Sequence, residues 1–181
     1  LVWHTIGDVP AKGLCGSGLI SLIARLVETG GIDETGALTD PVDAPDGSGE
    51  DCVLIGDSGV FLTQQDIRQV QLAKAAICAG ILTMLEECEQ EASKVDVFYI
   101  CGGFGSYIDP HAAAVIGMFP PELENKVQVL GNAAGSGAVM MLDAQHREMT
   151  TNLRDRATLI ELSTSPVFME QYIEQMCFGT E

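Results

Sequence analysis

The chain has 181 residues, 46% of them apolar, enough for one domain with a real core or two small lobes, and this excludes an intrinsically disordered chain. Nine Lys and Arg against 26 Asp and Glu leave a formal net charge of −17, which excludes nucleic acid and an anionic membrane surface as partners because their phosphates would be repelled. The acidic balance suits solubility or the steering of a basic partner protein.

Val2–Ile6 reads as a short strand. It follows no initiator Met, so the chain is expected to begin inside a fold, as a fragment or a C-terminal domain. Gly13-Leu14-Cys15-Gly16-Ser17-Gly18 is a tight turn into a helix over 19–29, with Leu19, Leu22, Ile23 and Leu26 at helical spacing and Gly30-Gly31 as its stop. Residues 33–51, rich in Asp, Gly and Pro and without periodicity, read as a surface loop open to mobility. Cys52–Ile55 and Val60–Leu62 flank the turn Gly56-Asp57-Ser58-Gly59 as a hairpin. Thr63 is a good N-cap for the longest helix, 66–90, and Asp66 three residues on completes a shortened capping box. Ile67, Val70, Ala73, Ile77, Ile81, Met84 and Cys88 form its apolar stripe.

A strand over 95–100 runs into Cys101-Gly102-Gly103-Phe104-Gly105-Ser106 and then a helix over 109–118. Paired glycines at a strand end let another group approach the main chain, and the helix start behind them offers unpaired N–H groups. The same kind of corner returns: a strand over 127–130, the turn Gly131-Asn132-Ala133-Ala134-Gly135-Ser136-Gly137, and a helix over 133–142. A polar surface helix at 145–154, a strand at 157–162 and a last helix from Pro166 to Met176 complete the order. Strands alternating with helices mean an α/β architecture, and glycine turns at strand ends place a ligand crevice at the carboxyl ends of parallel strands.

Six cysteines stand at 15, 52, 78, 88, 101 and 177 without a C-x-x-C pair, so a zinc or iron–sulfur site within this chain is not expected. They read as small buried apolar residues of a reducing compartment, the cytoplasm. No signal peptide and no apolar stretch of ~18 residues is present. His4, His111 and His146 are too scattered for a metal.

Several of these segments resemble one family. Gly13–Ile20, Thr63–Arg68 with Gln71–Gly80, Ile100–Tyr107, Ile116–Pro120, Gly131–Ala138 and Ile160–Ser163 are similar, in order, to motifs of the reductive activators of corrinoid proteins. The resemblance implies an actin-like/ribonuclease H-like mixed sheet with flanking helices, of which residues 1–181 are the C-terminal portion only. It implies a parent protein that uses ATP and Mg to drive an electron onto a Co(II) corrinoid and restore Co(I) for methyl transfer, with a 2Fe–2S cluster in an N-terminal ferredoxin-like domain. The implied partner is a corrinoid protein, either a methyltransferase or a corrinoid/iron–sulfur protein, and a homodimer is compatible with it. The phosphate loop expected upstream of Gly13 is absent, so this chain alone is not expected to hydrolyse ATP. A non-catalytic docking module for a corrinoid protein and a small-molecule kinase of the same superfamily are the alternatives.

Each candidate site has a plainer counterpart. Gly102, Gly103 and Phe104 line a nucleotide or make a packing turn. Gly131 positions Asn132, which either bonds across a hinge between lobes or caps its helix. Lys74 meets phosphate or ribose, or snorkels to solvent. Cys15, Gly16, Ser17 and Gly18 form a loop that cradles phosphate, offers the Ser17 hydroxyl to the corrinoid cobalt, or only caps a helix.

Overall fold

The structure is a computed structural model that describes residues 2–103 and 105–179. Helix α1 (Gly16–Glu28) is the first regular element. A three-stranded antiparallel sheet follows, β1 (Val42–Asp43), β2 (Asp51–Leu54) and β3 (Phe61–Thr63), in that spatial order. Helix α2 (Gln64–Glu87) leads through the 3-10 turn Ala92–Lys94 to β4 (Phe98–Cys101) and the short helix α3 (Pro110–Val115). The 3-10 turn Pro121–Lys126 feeds β5 (Val127–Gly131), followed by α4 (Ala133–Met140) and α5 (Ala144–Arg156). A 3-10 turn at Leu162–Thr164 and helix α6 (Pro166–Glu174) are the last regular elements. None of the described helices is long and apolar enough to cross a membrane.

The hairpin and the two corners form as the residues dictate. β2 and β3 pair antiparallel with Val53 opposite Leu62, and β4 and β5 pair parallel with Ile100 opposite Val129. The α2 capping box is closed at both ends: Thr63 Oγ1 accepts the Asp66 N–H at 3.1 Å and Asp66 Oδ2 accepts the Thr63 N–H at 3.0 Å. One contiguous core joins α1, α2, α3 and the hairpin, with Ile23, Ile67 and Ile116 fully buried. Each such side chain contributes about 1.5–3 kcal/mol through its removal from water. Phe98 meets Phe119 edge-on at 5.1 Å between ring centres, anchoring β4 to the segment behind α3.

Several expectations are corrected. Val2–Ile6 is not a strand, because no neighbouring strand offers it a ladder, and Ala157–Leu162 is extended chain entering a 3-10 turn for the same reason. The 33–51 segment is not a bare loop. Asp33 Oδ1 accepts the N–H groups of Thr35 and Ala37, Ile32 bridges to Leu38, and Val42–Asp43 adds a strand to the hairpin. Of the six cysteines only Cys52 and Cys78 are buried, and the other four are exposed. The expected stripe of α2 is rotated: Ile77, Met84 and Cys88 face outward, while Gln71 and Lys74 are buried.

That rotation has a cause in the C-terminal segment. Gln71 Nε2 donates to Met176 O at 2.9 Å and to Thr35 O at 3.0 Å, and Lys74 Nζ donates to Cys177 O. Cys78 Sγ donates to Gln175 Oε1 at 3.6 Å. Residues 71, 74 and 78 thus form a polar ladder down one face of α2, each rung taken by the chain after α6. Phe178 closes the ladder, fully buried, with the Lys74 ammonium 5.4 Å from its ring centre. A buried amine is tolerable only with such partners.

Burial lowers the Lys74 amine to about 8, and burial raises the Cys78 thiol to about 11. The folded chain therefore holds fewer protons than the unfolded chain on Lys74 between about pH 8 and 10.5, and that contribution to stability rises with pH across the window. Cys78 acts oppositely between about pH 9 and 11. Melting curves of wild type and Lys74→Met should separate the two: the difference between them is expected to grow in favour of wild type from pH 8 to 10. Thr63→Ala is expected to cost about 1 kcal/mol locally, read as about fivefold faster amide exchange in the first turn of α2.

Candidate functional site

The two glycine corners meet. At the carboxyl end of the parallel pair the register shifts between Ile100 and Cys101, so that Cys101 stands opposite Gly131. The Gly102 N–H then donates to Gly131 O at 2.7 Å. Both glycines lie in the left-handed region, Gly102 at φ 98° and Gly131 at φ 64°, where an L side chain would be strained. Ser106 Oγ donates back to Gly102 O at 2.9 Å and closes the first turn on itself. A Cβ at Gly102 or Gly103 would meet no atom within 4 Å, so the main chain here is open to close approach from outside.

Asn132 follows directly as the N-cap of α4, its Oδ1 accepting the Gly135 N–H at 2.9 Å. The structure therefore places Gly102, Gly103, Gly131 and Asn132 on one edge. Phe104, expected to line the same edge, lies outside the described residues. The open main chain fits a flat base or ribose, which needs close backbone approach more than it needs charge.

Lys74 does not join this edge. Its ammonium is spent on Cys177 O, so it neither snorkels to solvent nor faces the glycine corners. It shares the wall of a cavity of about 780 Å³ with Gly16, Leu19, Ala73 and Met118 instead. The partner that captures it lies 103 residues away in sequence, beyond the reach of any local pattern.

The loop before α1 is built differently from expectation. Cys15, not Ser17, is the N-cap: its Sγ accepts the Gly18 N–H at 3.4 Å and lies 3.5 Å from Ser17 Oγ. Ser17 is half-buried in the first turn, while Cys15 and Gly16 are exposed. The Ser17 hydroxyl and the Gly18 N–H both favour the thiolate, so Cys15 is held below the usual thiol range. A cavity of about 1070 Å³ opens beside it, walled by Trp3, Leu14, Leu22, Ile55 and Val60 with Arg25 on its wall. The sequence marked this loop by its glycines; the signal that could have found the thiol is its position just before a helix of apolar period. Neither cavity includes Gly102 or Gly131, so loop and corners are separate surfaces of one fold.

Alkylation by iodoacetamide, followed by mass spectrometry, should modify Cys15 at a lower pH than the buried Cys52 and Cys78, whose thiols burial pushes up. Ser17→Ala is expected to move the Cys15 profile to higher pH, and an unmoved profile would remove the hydroxyl from this account.

Comparison with known proteins agrees with this architecture. The family model described as the C-terminal domain of RACo, the ASKHA domain, matches residues 1–181. The chain is 34% identical over 197 residues to the corrinoid activation enzyme RamQ of Eubacterium limosum, spanning 99% of this chain and 33% of that protein. It is 23% identical over 173 residues to the Co(II) methylated amine-specific corrinoid protein reductase of Methanosarcina barkeri, spanning 94% of this chain and 30% of that protein. A solved reductive activator for corrinoid, iron-sulfur protein superposes with a TM-score of 0.81 at 29% identity, over 97% of this chain and 30% of that one. The chain thus spans about a third of the length of its relatives, has their actin-like fold, and belongs to the family of RACo C-terminal ASKHA domains.

Proposed function

We propose that this chain is part of the ATPase domain of a reductive activator that returns the cobalt of a corrinoid protein from Co(II) to Co(I). The observation that carries the reading is the joining of the two glycine corners by the Gly102–Gly131 hydrogen bond, in a chain whose relatives are named for corrinoid activation. Gly102, Gly103, Gly131 and Asn132 supply the wall against which the nucleoside rests. ATP with Mg would supply the free energy for an otherwise uphill one-electron reduction. The residues here orient the nucleoside by shape, because the corner presents backbone to it.

The Gly16-Ser17-Gly18 loop faces the corrinoid protein. Its half-buried hydroxyl, held beside Cys15, is a weak oxygen donor of fixed position. Offered to the cobalt of a corrinoid, such a weak oxygen donor would favour the reduced metal over Co(II) held by a stronger ligand. The 2Fe–2S cluster that delivers the electron belongs to another part of the parent protein, which acts in the cytoplasm. A net charge of −17 keeps nucleic acid away from the surface.

The rest of the ASKHA domain covers the faces that this chain leaves bare. Helix α4 carries Ser136 as its one polar side chain, yet Val139, Met140 and the following Leu142 are at least half exposed, and no residue of α4 or α5 is buried. A helix so largely apolar is at home inside a larger body. The reading that this chain docks a corrinoid protein without holding nucleotide makes a different prediction, and one pair of measurements separates the two.

In the full-length protein, Ser17→Ala is expected to slow formation of Co(I), followed by its absorbance, by about fivefold, the worth of one polar contact of ~1 kcal/mol. An unchanged rate would return Ser17 to its helix. Gly103→Val in the full-length protein should weaken binding of ATP and Mg by calorimetry while leaving capture of the corrinoid protein intact. Unaltered nucleotide affinity would favour the docking module.

A further inference from the structure

We propose that His111 is a proton-operated brace that ties α1 to α3 and to the 3-10 turn Pro121–Lys126 by gripping Glu28 and Glu124 at once. The imidazole stands at the start of α3 with a carboxylate on each ring nitrogen. Nδ1 lies 2.9 Å from Glu124 Oε1 and Nε2 lies 3.3 Å from Glu28 Oε1. Only the imidazolium carries an N–H on both nitrogens. A neutral ring donates to one carboxylate and turns a lone pair toward the other, so the doubly braced arrangement requires the extra proton. Loss of that proton gives up one of the two ion pairs.

Other charged groups stand on the three elements, among them the exposed Glu122 of the turn. On α1, Arg25 Nη1 approaches the other oxygen of Glu28 at 3.4 Å and competes with His111 for that carboxylate. On its own element, Asp109 Oδ1 accepts the His111 backbone N–H at 3.0 Å and caps the helix. On the turn, Lys126 is directed away, its Nζ donating to Ala92 O and Ser93 O at 3.0 and 2.8 Å. Glu124, then Glu28, hold the His111 imidazole above its ordinary range by accepting its hydrogen bonds. The sign follows. Because the folded chain holds the proton more tightly than the unfolded one, the stabilisation is fully present below about pH 6.5 and fades as pH rises through the raised folded value. All three side chains are at least one-third exposed, so salt weakens the brace.

The place of the brace gives it consequence. α1 starts at the Gly16-Ser17-Gly18 loop, α3 follows the Gly102 turn, and Pro121–Lys126 runs directly into β5 and Gly131. The proton therefore adds a surface tie between these elements, on top of the buried Ile116, Phe119 and Leu123 that fix them to the core.

Histidine Cε1–H deuterium exchange, read by mass spectrometry on the full-length protein between pH 5 and 9, gives the midpoint of His111 directly. Glu124→Gln is expected to lower that midpoint, Glu28→Gln to lower it less, and 1 M NaCl to lower it in wild type. A midpoint that neither substitution moves would overturn the proposal. The melting-temperature difference between wild type and His111→Gln should shrink from pH 6 to pH 8. A difference equal at both pH values would mean that the ring only packs, and would overturn it as well.

Discussion

The hydrogen bond from the Gly102 N–H to Gly131 O is the constraint on which the candidate site depends. Two parallel strands need not end level. Here a register shift after Ile100 brings Cys101 opposite Gly131, and only then can the turn that leaves β4 bond to the end of β5. Both glycines occupy backbone conformations that disfavour a side chain, so the joint depends on residue type at two positions 29 apart in sequence. Behind the joint, α3 and the turn Pro121–Lys126 carry the crossover between the strands. Ile116, Phe119 and Leu123, all buried, fix that crossover to the core. The corner is thus open on its outer side and rigid on its inner side.

A second constraint holds the far side of the fold. The polar ladder of α2 places an amide, an amine and a thiol on carbonyl groups of the chain after α6, and Phe178 seals it. Burying an amine costs much of the free energy that its hydrogen bond returns, so the ladder is better understood as specifying where the C-terminal segment lies than as a large net stabilisation. Hydrophobic contacts alone would let that segment slide along α2; a polar rung every three or four residues does not.

Much of this was legible because the information is local. Thr63 and Asp66 announce their capping box within four residues, the hairpin is written around Gly56–Gly59, and the two glycine corners follow their strands directly. What was not legible depends on partners distant in the chain. Lys74 looks like a solvent or ligand contact until Cys177 arrives beside it. Val2–Ile6 and Ala157–Leu162 have strand-like residues but find no strand to pair with. At the α1 loop the choice between Ser17 and Cys15 as cap turns on two residues of register, which composition cannot decide. The candidate site was visible as two separate corners; that they form one edge, and that Lys74 is excluded from it, came only with the fold.

The central claim is that the edge formed by Gly102, Gly103, Gly131 and Asn132 is one nucleotide wall. Amide hydrogen–deuterium exchange on the full-length protein, with and without Mg and a non-hydrolysable ATP analogue, tests it most directly. The account predicts that peptides covering Gly102–Ser106 and Gly131–Gly135 slow together on binding, while α5 is unchanged. Saturating nucleotide that slows neither peptide would contradict it.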